Sequence, residues 1–139
     1  MTRFTHLPIE RLENRTLLSA SLAGTTATLT GTALNDVITI ERDPLDPTLL
    51  FATINGVETD RISLDRIRLI RVNLLAGDDA LLVDDANGRI AIPMLVQGHA
   101  GNDTLTGGLG RDLLDGGIGD DSLVAGAGND TLRGGLGVD

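Results

Sequence analysis

Aspartate returns every ninth residue at the end of this chain: Asp103, Asp112, Asp121, Asp130 and Asp139. Each follows a glycine-rich stretch. A carboxylate fixed on a glycine turn, with free backbone carbonyls around it, is an oxygen-only donor set. A hard divalent cation such as calcium takes that set and tolerates irregular geometry. Glutamate does not occur in 98–139, and in so tight a turn its longer arm would overshoot.

The frame that carries these aspartates is G-G-x-G-x-D-x-L-x. It starts at Gly98 with Gly98-His99-Ala100-Gly101-Asn102-Asp103-Thr104-Leu105-Thr106 and repeats without slipping to Asp139. Glycine at the first, second and fourth places opens backbone conformations closed to residues with a Cβ. The eighth place is always leucine: Leu105, Leu114, Leu123 and Leu132. In a three-residue strand its neighbours must face the other way. The leucines are therefore predicted to stack inward, with Thr104, Thr106, Asp115, Ser122, Thr131 and Arg133 facing water. Leu113 and Val124 depart from that rule and are expected to meet a neighbouring surface. A flexible glycine linker would keep neither register nor a fixed apolar place.

The repeat resembles the hemolysin-type calcium-binding repeat, also called the RTX repeat. The resemblance implies an all-β fold: a right-handed parallel β-solenoid ending in a calcium-stapled β-roll, with two nonapeptides to each coil. Turns eighteen residues apart would then stack, pairing Asp103 with Asp121, Asp112 with Asp130, and Asp121 with Asp139. Facing carboxylates repel unless a cation lies between them. The implied cofactor is Ca2+. Its implied ligands are Asp103, Asp112, Asp121, Asp130 and Asp139, with the backbone carbonyls of Gly101, Gly108, Gly110, Gly117, Gly119, Gly126 and Gly128. Asp79 is a weaker candidate ligand. Asp36 is expected to take no part, because Leu34 replaces the glycine of its turn.

The elements needed to hold such a row are all β. The 139 residues carry a net charge of −9, and 98–139 holds seven aspartates against two arginines. That balance argues against nucleic acid or an anionic membrane as partner and suits multivalent cations. Phe4 and Phe51 are the only aromatic residues, too few for an ordinary globular core. A narrow stack of Leu, Ile, Val and Ala needs none. With no cysteine there is neither a disulfide nor a thiolate metal site, so metal is expected to staple the fold instead. No run is long enough to span a membrane.

Three segments are predicted. Residues 1–24 form an export- or sorting-like or disordered start, with Arg3, Arg11 and Arg15, and a short helix is expected after Pro8. Leu12-Glu13-Asn14-Arg15-Thr16-Leu17-Leu18-Ser19-Ala20 is similar to the LEPR-XLL motif of bacterial surface and secreted proteins, with Asn14 in place of proline. It implies an extracellular or cell-surface fate. Asn14-Arg15-Thr16 also fits a glycosylation sequon. Residues 25–97 are read as irregular solenoid coils that cap the roll, the rival being a small separate β-sandwich. Strands are predicted at Ala27–Thr30, Val37–Arg42, Leu49–Asn55, Arg68–Leu75, Leu81–Asp84 and Arg89–Val96, with a hairpin turn at Asn55-Gly56 and a short turn at Ser63–Arg66. Residues 98–139 are the nonapeptide β-roll. RTX relatives exported by the type I route carry a secretion signal beyond the repeats. This chain stops in mid-repeat at Asp139, so the expectation is a truncated chain or another export route, with a weak Asp121–Asp139 site.

Catalytic constellations are lacking. His6 and His99 are the only histidines, no H-E-x-x-H or nucleophile elbow occurs, and His99 reads as a surface turn residue. The acid pairs Asp78-Asp79, Asp84-Asp85 and Asp120-Asp121 read as solvated corners or calcium ligands rather than a glycosidase dyad. The leading expectation is a non-enzymatic calcium-binding module of a secreted or cell-surface protein that folds on binding Ca2+. The alternatives are a fragment of a β-helix polysaccharide lyase or epimerase, for which Arg61, Arg66, Arg68 and Arg71 would line a groove, and a calcium-stiffened adhesin or surface-layer spacer. Polysaccharide or cell-surface components are the partners these alternatives imply.

Overall fold

A computed structural model of the chain describes residues 19–139. The arginines and the LEPR-XLL-like stretch up to Leu18, the sequon at Asn14, the helix expected after Pro8, and His6 lie outside the described residues. The strands are β1 (Ser19–Ala23), β2 (Thr26–Thr30), β3 (Val37–Arg42), β4 (Leu49–Ile54), β5 (Val57–Glu58), β6 (Ile62–Ser63) and β7 (Leu69–Asn73). They continue as β8 (Ala80–Asp84), β9 (Met94–Ala100), β10 (Thr104–Thr106), β11 (Leu113–Ile118), β12 (Ser122–Val124) and β13 (Thr131–Leu136). A 3-10 turn covers Leu64–Arg66. No helix among the described residues is long and apolar enough to cross a membrane.

The all-β expectation holds, and both sheets are mixed. The first runs β1-β2-β7-β9-β11-β13; the second runs β12-β10-β8-β3-β4-β5, with β6 also on β4. Antiparallel pairing is confined to one end, where β1 folds onto β2 and β4 pairs β3, β5 and β6. Every other pair is parallel: β2 with β7, β7 with β9, β9 with β11 and β11 with β13 in one sheet, and β3 with β8, β8 with β10 and β10 with β12 in the other. From β7 onward the chain alternates between the sheets at every step. The excursion β4–β6 between β3 and β7 is folded by the Asn55-Gly56 turn, where both residues take positive φ, 50° and 79°.

The core follows from side-chain alternation. Residues two apart on a strand share a face, so β-branched and aliphatic residues at alternate places meet between the sheets. Parallel register aligns Leu29, Val72, Val96, Leu114 and Leu132 in one sheet. Ile38, Leu81, Leu105 and Leu123 align in the other. Val72, Val96, Leu105, Leu114 and Ile38 are fully buried. Each buried aliphatic side chain is stabilising by about 1.5–3 kcal/mol.

The leucine row does not stay buried to its end. Leu123 is only partly buried and Leu132 is 47% exposed. Both β12 and β13 are edge strands, and no other strand among the described residues covers their outer side. Leu113 is half-buried, and Val124 is 55% exposed, meeting no neighbouring surface among the described residues.

Strand predictions erred where proline and the chain's start intervened. Ser19–Ala23, assigned to the N-terminal segment, forms β1. The strand predicted at Arg89–Val96 begins instead at Met94 and runs to Ala100. Pro93 has no N–H to give a ladder, so the strand starts after it.

Candidate metal centre

Parallel register stacks the corners that join the first sheet to the second. These corners are residues 31–36 and 74–79, then 98–103 and 116–121, which take in the ends of β9 and β11, with 134–139 in the same place at the end of β13. Their last residues are Asp36, Asp79, Asp103, Asp121 and Asp139, and a single hydrogen-bond pattern links all of them. The Asp36 N–H donates to Asp79 Oδ1 at 2.7 Å, and the Asp79 N–H to Asp103 Oδ1 at 2.9 Å. The Asp103 N–H donates to Asp121 Oδ1 at 2.8 Å, and the Asp121 N–H to Asp139 Oδ1 at 3.1 Å. Each carboxylate after Asp36 thus satisfies a backbone donor of the preceding corner, which burial would otherwise leave unmatched.

The second oxygen of three of these carboxylates has no partner. Oδ2 of Asp79, Asp103 and Asp121 is buried and accepts no hydrogen bond. Burial is the main force raising the Asp79 carboxyl to about 6, and the neighbouring charges of Asp103, Asp36 and Asp78 add to it against the bond from the Asp36 N–H. Asp103 is raised as well, first by burial and then by Asp121 and Asp78. A buried carboxylate among like charges needs either a proton or a cation.

Two corner conformations decide whether Oδ2 is left open. In corners 31–36 and 107–112 the second residue, Thr32 or Gly108, donates its N–H to the Oδ2 of the aspartate that ends the corner, at 2.6 and 2.9 Å. In corners 74–79, 98–103 and 116–121 the second residue is left-handed: Leu75 at φ 79°, His99 at 75° and Gly117 at 107°. In these three left-handed corners Oδ2 has no partner. Asp36 is closed further by the Thr32 hydroxyl and by Asn55 Nδ2, which donates to its Oδ1 at 2.6 Å.

The opposite edge carries a shorter row. The Met94 N–H donates to Asp112 Oδ1 at 2.9 Å, and the Asp112 N–H to Asp130 Oδ1 at 2.8 Å. Met94 therefore stands where an aspartate would. Burial raises the Asp112 carboxyl in spite of its bonds from Gly108 and Met94.

Sequence reasoning paired Asp103 with Asp121, Asp112 with Asp130, and Asp121 with Asp139, and the structure stacks all three pairs. Asp103, Asp112 and Asp121 are buried, Asp130 is half-buried and Asp139 exposed. Of the glycines read as carbonyl donors, Gly101, Gly117, Gly119, Gly126 and Gly128 take positive φ; Gly108 and Gly110 do not. The carbonyls of Gly101, Gly108, Gly110, Gly117 and Gly119 each abut the glycine eighteen residues on, where a Cβ would overlap them. At Gly98, two oxygens converge on the place a Cβ would occupy: Asp103 Oδ2 and the carbonyl of Gly116.

Asp36 and Asp79 both belong to the row. With Leu34 in its turn, Asp36 is still 1% exposed and forms the row's first member, its carboxylate closed by Thr32 and Asn55. Asp79 is a full member, 2% exposed. The available signal was the frame itself, since Leu74–Leu82 and Gly31–Thr39 keep aspartate in sixth place and an aliphatic residue, Leu81 or Ile38, in eighth. A second ladder also went unread. Oδ1 of Asn35, Asp78, Asn102 and Asp120 accepts the N–H of Asp78, Asn102, Asp120 and Val138 respectively, at 2.8–2.9 Å.

The remaining candidates are scattered. His99 is an exposed corner residue. Arg61 pairs with Asp43 at 2.6 Å and Glu58 at 3.1 Å and lies over Phe51, 4.6 Å from the ring centre. Arg68 bonds the carbonyls of Asp65 and Ile67, while Arg71 is exposed on the outer face of β7. Asp84 and Asp85 cap the loop after β8 through the N–H groups of Ala86 and Ile90. Among the described residues no three His, Cys, Asp or Glu side chains converge. The long row supplies one carboxylate per corner, with backbone carbonyl oxygens close by as further donors to a cation.

Residues 95–123 and 115–139 match the family model of the RTX calcium-binding nonapeptide repeat, in four copies. No curated protein and no solved structure matches the chain. The C-terminal third therefore carries RTX repeats, which bind Ca2+.

Proposed function

We propose that this RTX-bearing chain is a calcium-binding repeat module of an exported protein, and that 98–139 folds as Ca2+ binds. The observation that carries the reading is the pair of buried, unpartnered Oδ2 atoms on Asp103 and Asp121, inside the matched repeats. The donor set fits calcium: carboxylate oxygens, convergent carbonyls, and like charges nearby. Asp103 and Asp121 would hold the ion with carbonyls of the glycine corners, Gly101, Gly117 and Gly119 among them. When bound, the cation supplies the positive charge that the stacked carboxylates lack.

The parallel passes are best read as coils of a right-handed solenoid. Neighbouring aspartates of the long row are 43, 24, 18 and 18 residues apart, settling on two nonapeptides per coil. On this reading 25–97 forms the wide first coils, with their own apolar core, and 98–139 the regular roll. Burial thins toward Leu123 and Leu132, so the roll depends on metal more than the wide coils do. Extracellular calcium, at roughly millimolar levels, suits such weak extracellular sites. The dispersed surroundings of Arg61, Arg68 and Arg71 support a non-catalytic role.

The test is a calcium titration of chelator-stripped protein, followed by circular dichroism and hydrogen exchange. β-type signal should rise and β10–β13 should gain protection. A stripped sample already protected there, and indifferent to added Ca2+, sinks the proposal.

A further inference from the structure

We infer that a divalent cation also seats at Asp79, in the irregular coil that lies outside the matched repeats, while the closed corner of Asp36 takes none. The inference rests on the calcium reading of the repeats and extends it to a site of its own. Asp79 is 2% exposed, and its Oδ2 is buried with no hydrogen-bond partner. Its Oδ1 is held by the Asp36 N–H as Asp103 Oδ1 is held by the Asp79 N–H, so the free oxygen is aimed by the same bond.

The corner around it has the backbone of the repeats in spite of a different sequence. Leu75 takes φ 79°, beside 75° for His99 and 107° for Gly117. Gly77 takes 125°, beside 132° for Gly101 and 142° for Gly119. The left-handed region is costly for leucine, so the stack imposes it. In that conformation no N–H from the corner closes Oδ2. Nor do Asp36, Asp78 and Asp103, the charges that surround it, supply a positive partner. Backbone oxygen is at hand, since the Gly77 carbonyl abuts Gly101 of the next corner. An oxygen-only, anionic pocket selects a hard cation of the calcium class.

Asp36 is the internal contrast. Both its oxygens already accept bonds, from the Thr32 N–H and hydroxyl and from Asn55 Nδ2. The side-chain amide of the β4–β5 hairpin stands where a cation would otherwise be needed.

Calcium stoichiometry by equilibrium dialysis of the full chain separates these rungs. Asp79→Asn should bind one fewer ion than wild type, because it keeps the Oδ1 acceptor and loses the charge. Asp36→Asn should bind as many as wild type. A wild-type measurement guards against a variant that fails to fold: Ca2+ titrated into the stripped chain should shift the side-chain carboxylate 13C resonance of Asp79 together with those of Asp103 and Asp121, and leave that of Asp36 in place. Shifts at Asp103 and Asp121 with Asp79 unmoved, or unchanged stoichiometry in a folded Asp79→Asn, overturns this site and leaves the repeat reading standing. A wild-type chain that binds no calcium overturns both.

Discussion

Asp103 donates its backbone N–H to Oδ1 of Asp121, 2.8 Å away and eighteen residues further along, while the other carboxylate oxygen of Asp121 has no partner. One side chain thus has a structural half and a metal half, and substitutions can separate them. Asp121→Ala removes both. It should destabilise the calcium-loaded protein by about 1–3 kcal/mol, the cost of orphaning a buried N–H, as read in urea melts. Asp121→Asn keeps the acceptor and should spare most of that stability. Its calcium midpoint should rise on the order of tenfold, equivalent to about 1.4 kcal/mol.

Glycine substitutions should sort by what a Cβ would meet. At Gly119, φ is 142° and a Cβ would overlap the carbonyl of Gly101. Gly119→Ala should cost about 1–3 kcal/mol for the backbone conformation alone, with the clash added. Gly24 is also left-handed, at 60°, but meets nothing within 4 Å. Gly24→Ala should cost only about 1–2 kcal/mol. Thermal melts in saturating calcium read the difference.

Leucines sharing the eighth place of the frame should differ by position in the stack. Leu114 is fully buried and Leu132 is 47% exposed. Leu114→Ala should destabilise by about 2–5 kcal/mol. Leu132→Ala should cost about 1 kcal/mol, since much of its apolar area is already in water. Equal losses in denaturant unfolding would contradict the open edge at β13.

Acid should favour the metal-free chain. Asp79 is raised from 3.8 to about 6 in the folded state, so between those values the folded protein holds more protons than the unfolded one. Stability should therefore rise as pH falls through about 6, levelling off below about 4 where both states are protonated. Asp103 and Asp112 are shifted in the same direction in the folded roll, so protonation should also help 98–139 to fold without metal. Urea melts in chelator between pH 4 and 7 check it. With calcium present the slope should reverse, because protons and metal compete for the same oxygens.

The regular third of the molecule was legible because its spacing never slips. Asp103, Asp121 and their leucines could be placed from the frame of nine and the period of two. Asp36 and Asp79 obey the same frame, but the β4–β6 excursion and the longer loop at 85–93 stretch their separations to 43 and 24 residues. Local turn chemistry misled in both directions. Leu75 adopts a conformation that no propensity would assign to leucine, while Gly108 and Gly110 decline one that glycine allows. Register from neighbouring strands decided these cases, and such register is a property of the folded stack. Met94 shows the same limit, since its backbone N–H serves the row and its side-chain identity gives no hint of that.

Separations of 43, 24 and 18 residues between neighbouring aspartates end in nearly the same bond, 2.7–2.9 Å. Contour length and corner alignment are therefore independent variables in this fold. The loop at Asp43–Pro47, where Leu45 is 94% exposed, is a natural splice point. A foreign loop grafted there would ride outside the stack, and the stack would keep its count.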